Sequence, residues 1–244
     1  MGDKNKVSPR WMQQWWLWFF VLFAITLAIF WSKFIVGMNE HNLAVIVHGI
    51  SAIGWMLLTV VQALLIKSRR RKSHRTIGYS SIVLAIIVVI TALQMERQGI
   101  QRDGADAIGE SLLAIKFLYN DVTGLILFCL FFVLAIFAAR RKDIPLHLRM
   151  IACTAIIPFM PALIRLFPRI MPTTVPDFTT SLLVSQIALF SICLTLILAE
   201  YRYSRLRWPF VSLLLYYVFM IFTTDLVANQ LWFQNLAFGF AGVS

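Results

Sequence analysis

Four histidines, His41, His48, His74 and His147, are the residues of this sequence best suited to chemistry. Neutral imidazole holds haem iron from two sides, and imidazole exchanges protons near neutral pH. His74 and His147 each open an apolar run behind a basic stretch, in Ser73-His74-Arg75 and Leu146-His147-Leu148-Arg149. Two runs crossing a bilayer in the same direction bring such starts to one depth, as a bis-histidine haem requires. Gly78, one turn after His74, leaves space for a porphyrin edge. The same positions also suit contact with phosphate headgroups, so an interfacial reading of both histidines stays open.

A second set of residues stands inside apolar runs, where each charge costs roughly 2.5–3.5 kcal/mol to insert. Lys33, His48, Lys116, Arg165 and Asp225 lie about 9–12 Å outward of the midpoint of their runs, and Asp121, beside Asn120, about 5 Å. Lys33, Lys116 and Arg165 are long enough to reach the headgroups, whereas Asp121 is too short and too deep. Together they suggest an outward-opening polar pocket lined by Lys33, Lys116, Asn120, Arg165 and Asp225. Within it, a His48–Asp121 pair would handle protons, the carboxylate fixing the imidazole tautomer. Pro158 and Pro161 predict a kink just before Arg165.

The elements that must position these residues follow from composition. Of 244 residues 60% are hydrophobic and 14% charged, against about 25% charged in globular domains. Too few polar side chains remain to cover a soluble surface, so the chain reads as one all-α integral membrane bundle over residues 1–244. Seven apolar runs, at about 15–37, 42–66, 76–95, 112–138, 147–168, 177–200 and 208–229, approach or exceed the ~20 residues that span a bilayer. Sixteen of the 22 basic residues fall in the N-terminus and alternate loops with three acids, giving +13; the opposite loops carry −3, and +1 remains inside the runs. This alternation predicts a cytoplasmic N-terminus and an outside C-terminus. It also accounts for the net charge of +11 without nucleic acid as a partner. Trp11, Trp15, Trp16, Trp18, Trp208 and Trp232 suit interfacial belts. Cys129, Cys153 and Cys193 sit in apolar runs and form no metal or disulfide pattern. No Walker loop, dinucleotide-binding glycine pattern, zinc-protease helix or serine elbow occurs. The last run has no lysine for a retinal Schiff base.

The series His48-Gly49, Gln62, His74-Arg75 with Gly78-Tyr79, Arg141-Lys142-Asp143, His147-Leu148-Arg149-Met150 and Ala162-Leu163-Ile164-Arg165 resembles a large family of bacterial predicted membrane proteins. The family's signature is a His-Arg-x-x-Gly helix start and a later His-x-x-Met start closed by an arginine. More distantly, the series is similar to cytochrome-b-type transmembrane electron carriers. The resemblance implies a bacterial inner-membrane location, a core of spans two to five (about 42–168) and equivalent positions at His48, His74 and His147. His48 has no histidine at its depth on another span, so the resemblance implies at most one b haem, held by His74 and His147. Three functions follow as expectations. The first is a haem-b carrier or oxidoreductase using a quinone or other redox partner. The second is a proton-coupled transporter built on the outer polar residues. The third is an accessory subunit of a membrane complex.

Overall fold

The computed structural model describes residues 14–37, 42–103, 108–203 and 206–243, without the side chains of residues 32, 33 and 103–111. Lys4, Lys6, Arg10, Trp11 and His41 lie outside the described residues, and of Lys33 only the backbone is described. The described chain is helical, with no strand. Helix α1 (Trp15–Phe30) runs on through a π-helical turn, Trp31–Val36, and is followed by α2 (Leu43–Lys67), α3 (Arg71–Asp103) and α4 (Ile108–Arg140). A broken helix comes next, α5 (Ile144–Ile156), a 3₁₀ turn at Ile157–Phe159, and α6 (Met160–Ile170). Helices α7 (Phe178–Tyr203), α8 (Trp208–Ala228) and α9 (Leu231–Ala241) complete the bundle. Six units (α2, α3, α4, α5 with α6, α7 and α8) are long and apolar enough to cross a membrane, and α1 is a shorter apolar helix. The chain is a multi-pass membrane protein.

Local sequence sets several of these boundaries. Asn42 caps α2 by accepting the Val45 N–H at 3.0 Å, and Asp143 caps α5 by accepting the Leu146 N–H at 3.2 Å. Helices α2 and α4 both end in tight turns in which Arg69 and Lys142 adopt φ of 61°. The Arg70 N–H bonds back to Leu65 and the Asp143 N–H to Ala138, a closure that usually uses glycine.

Two differences from the sequence reading matter. Helix α3 extends beyond its apolar run to Asp103, because Glu96, Arg97, Gln98, Gln101 and Arg102 are good helix formers and Ile100 is buried beneath α9. Helix α9, absent from the predicted spans, packs Ala237 and Ala241 against Ile100, Ala114 and Ile115. Its last carbonyl, Ala241, accepts from Arg97 Nε at 3.4 Å and Gln101 Nε2 at 2.7 Å, so a cation faces the negative end of that helix.

The broken helix occupies the centre. Ala152, Cys153, Thr154, Ala155 and Ala162 are fully buried, and such small residues let neighbouring backbones approach closely. Lipid-facing stripes occupy the periphery, as in Leu215, Phe219, Phe222 and Leu226 of α8, all more than half exposed and spaced three or four apart.

The break lies at the predicted prolines, and neighbours replace what they remove. Pro158 offers no N–H to the carbonyl of Thr154, and the Trp55 indole donates there instead at 3.1 Å. Pro168 leaves the carbonyl of Ile164 free, and Ser181 Oγ donates to it at 2.7 Å. The Ile157 carbonyl, opposite Pro161, accepts from the Met160 N–H within the 3₁₀ turn. In lipid such replacement is required, since no water can satisfy a freed backbone group.

Candidate functional site

Polar side chains gather at the two ends of the bundle, one end basic and the other mixed. At the basic end His74 of α3 and His147 of α5 come together, with ring centres 6.4 Å apart and ring planes at 89°. His147 Nδ1 donates to the carbonyl of Ala135 at 2.9 Å, which leaves its Nε2 lone pair free. The Gln62 amide lies against His74: its nitrogen donates to His74 Nδ1 and, at 3.2 Å, to the His74 carbonyl, while its oxygen accepts from the Gly78 N–H at 3.0 Å. A side chain on Gly78 would start 4.0 Å from that amide, so Gly78 borders Gln62.

These residues are compatible with a haem. Metal–imidazole bonds of about 2 Å put two ring centres roughly 6 Å apart, which the observed spacing meets. The donor set is two imidazoles from separate helices, each with Nδ1 engaged by the protein. With the Gln62 amide assigned this way the His74 ring hydrogen sits on Nε2, and ligation through Nε2 would need the half-turn of Gln62 that moves it to Nδ1. Among the described residues no three His, Cys, Asp or Glu side chains are grouped to hold a metal ion; a haem asks for only two.

Beside the histidines the basic end is tied by ion pairs. Arg149 Nε donates to Glu200 Oε1, and Glu200 Oε2 accepts the Arg207 N–H at 3.2 Å. Arg207 Nη1 in turn donates to both oxygens of Asp143, at 2.8 and 3.1 Å. The Arg207 hydrogen bonds, joined by the capping bond from Leu146, hold the Asp143 carboxyl below the usual carboxylate range. A depressed carboxyl contributes stability above its ordinary range and loses it as pH falls through the lowered value. The fall in melting temperature from pH 7 to acid should therefore be smaller in Asp143→Asn than in the unmodified chain. An identical fall in both would show that this pair is not coupled to folding.

At the opposite end, two groups form. Lys116, only 8% exposed, pairs with Asp225 at 2.7 Å. Behind it Gln186 Nε2 donates to Asn120 Oδ1 at 3.0 Å and Thr224 Oγ1 at 2.9 Å, and Asn120 Nδ2 donates to the Lys116 carbonyl at 3.0 Å. Thr123 and Tyr216 share a hydroxyl contact of 3.1 Å one turn deeper. Asn120 is thus buried in a satisfied network between α4, α7 and α8 and does not line an open wall.

The second group joins four helices. Glu96 of α3, Asp121 of α4 and Arg165 of α6 lie in one electrostatic neighbourhood. His48 of α2 lies within the field of Arg165. The His48 ring meets Thr91 Oγ1 at 3.2 Å; since that hydroxyl donates to the Ile87 carbonyl at 2.7 Å, His48 Nδ1 is the donor and its Nε2 keeps a lone pair. Arg165 stacks on Phe30 with 5.1 Å between guanidinium and ring centre, and donates to the Pro161 carbonyl at 3.0 Å.

The structure therefore brings together His74 with His147 and Lys116 with Asp225, and sets Arg165 in the electrostatic neighbourhood of Asp121. Among the described residues no His48–Asp121 hydrogen bond forms: His48 takes Thr91, and Asp121 lies in the electrostatic neighbourhood of Glu96 and Arg165. Glu96, which the sequence reading assigned to a loop, stands on α3 beside this group; the unbroken run of helix formers after Met95 was the available signal.

Compared with protein-family models, curated proteins and solved structures, the chain matches none.

Proposed function

We propose that the chain is a bacterial inner-membrane redox protein that holds one b-type haem between His74 and His147 and exchanges protons at its opposite end. The observation that carries this reading is the meeting of two imidazoles from α3 and α5 at a spacing suited to axial ligation. A b haem would supply a one-electron carrier. The chain's own residues orient its ligands. The Ala135 carbonyl fixes the His147 ring and tautomer, and Gln62 sets which nitrogen of His74 carries hydrogen. At the opposite end His48 and Asp121 handle the accompanying protons, and the exposed face at Arg165 receives a quinone or another small reductant.

A reduced-minus-oxidised spectrum of protein purified from haem-replete cells should show a b-type band. His74→Ala and His147→Ala should each abolish at least most of it, while Gln62→Leu should leave it present but shift the midpoint potential. Colourless protein would overturn the reading. A second reading, a proton-coupled transporter, draws support from the Glu96–Asp121–Arg165 group standing beside the broken helix. Haem-free protein whose uptake activity disappears in Asp121→Asn would favour it.

A further inference from the structure

The hairpins α2–α3 and α4–α5 repeat one another around their turns. In the first, the N–H groups of Ser68, Arg69, Arg70 and His74 donate to the carbonyls of Leu64, Ile66, Leu65 and Arg70, at 2.8, 3.0, 2.8 and 3.0 Å. In the second, those of Arg141, Lys142, Asp143 and His147 donate to Phe137, Ala139, Ala138 and Asp143, at 3.0, 3.0, 2.9 and 3.0 Å. Each bond of one turn has its counterpart in the other at one fixed offset along the chain. Arg69 and Lys142, matched by that offset, share a φ of 61°. His74 and His147 are matched in the same way, so they occupy equivalent positions.

The match extends to what holds each ring, and there the two halves differ. His147 Nδ1 meets the carbonyl of Ala135, twelve residues earlier. At the same separation before His74 stands Gln62, whose amide meets His74 Nδ1. A carbonyl only accepts, so His147 keeps its hydrogen on Nδ1 and a lone pair on Nε2. An amide has a donating and an accepting side, so Gln62 can impose either tautomer on His74.

Three hydrogen bonds select the donating side. The Gly78 N–H and the His74 carbonyl are a donor and an acceptor four residues apart on α3. The Gln62 oxygen accepts from Gly78 at 3.0 Å, and its nitrogen donates to the His74 carbonyl at 3.2 Å and to His74 Nδ1. The reverse orientation in the same place sets nitrogen against N–H and oxygen against carbonyl. His74 Nε2 therefore carries hydrogen and has no lone pair for a metal. Gln62, His74 and His147 are each half-buried. Gly78 leaves the amide free to turn, since even a Cβ there would stand 4.0 Å from it.

We propose that Gln62 is a ligation switch: it holds His74 in a non-ligating tautomer until its amide turns, so that His147 is the standing ligand and His74 the conditional one. With the amide turned, its oxygen accepts from Nδ1, and the Gly78 N–H reverts to the His74 carbonyl as an ordinary helical bond. One N–H bond is lost at Nε2 and one is formed at Nδ1, so the imidazole stays neutral and Nε2 gains a lone pair. Gln62 is a positioning residue that acts through His74. What the switch is for rests on the haem reading above; the tautomer that it sets does not.

Histidine ¹⁵N NMR of the haem-free full chain in lipid reads the tautomers, with ring signals assigned by their loss in His74→Ala and His147→Ala. The unmodified chain should show His74 with hydrogen on Nε2 and His147 with hydrogen on Nδ1. Gln62→Glu, whose carboxylate only accepts, should move the His74 hydrogen to Nδ1. Gln62→Leu should leave both His74 tautomers populated, and His147 should be unchanged throughout. On titration with ferric haem, Gln62→Glu should reach the low-spin bis-histidine spectrum at about tenfold lower haem concentration than the unmodified chain, having no amide bonds to break first. A His74 hydrogen on Nδ1 in the unmodified chain, a His74 tautomer unmoved by Gln62→Leu, or equal haem affinity in the two titrations overturns the switch and leaves the haem reading standing. Absence of haem binding from every variant overturns the haem reading and the switch together.

Discussion

Replacing Glu200 by alanine should lower the stability of the folded chain by about 3–5 kcal/mol, the largest single loss expected outside the apolar core. Glu200 is 2% exposed, and its partner Arg149 keeps only 11% of its side-chain surface. Deleting the carboxylate leaves a largely buried guanidinium whose remaining hydrogen-bond partner among the described residues is the Pro145 carbonyl at 2.7 Å, with Asp143 more distant in its field. It also frees the Arg207 N–H that Glu200 accepts. Two ions buried together are not by themselves strongly stabilising, because desolvation offsets their attraction, whereas one ion left alone is costly. The double replacement Arg149→Met with Glu200→Met should therefore recover most of the loss. Thermal unfolding of the unmodified chain, Arg149→Met, Glu200→Met and the double variant in one detergent decides the matter: if the double variant loses as much as the two single ones added together, the pair acts through packing.

Asp225→Leu should cost about 3 kcal/mol, while Lys116→Met should be close to neutral. The asymmetry comes from exposure. Asp225 keeps 73% of its side-chain surface and Lys116 only 10%. Without lysine, the aspartate returns to water at the surface. Without aspartate, the ammonium stays inside the bundle, with the more distant Asp177 as the remaining carboxylate in its field. Equal losses in the two variants would mean that the pair contributes by tying α4 to α8 and not by neutralising a buried charge.

Much of the bundle was legible because lipid imposes a one-dimensional rule: apolar runs of sufficient length become helices. The kink followed from Pro158 and Pro161, and the meeting of His74 and His147 followed from two spans running in one direction. Helix α9 escaped because its 11 residues are too short to span, and an apolar segment of that length carries no signal of where it docks. Glu96 escaped for the opposite reason. Hydropathy marks where a run ends and not where the helix ends, and α3 continues past the run on polar helix formers. That His48 bonds to Thr91 and not to Asp121 depends on the rotation of α2, α3 and α4 about their axes. Spacing along one chain does not encode that rotation.

The donors that stand in for the missing proline N–H groups also set a length. Trp55 of α2 holds the carbonyl of Thr154, and Ser181 of α7 holds that of Ile164, ten residues further on. One inserted or deleted residue between them would turn everything beyond it by about 100°, carrying the Ile164 carbonyl away from Ser181 and Arg165 away from Glu96 and Asp121. The interval works as a vernier clamped at both ends. Substitutions inside it can be absorbed, but a change in its number of residues cannot, and the polar group at Arg165 keeps its alignment through that count.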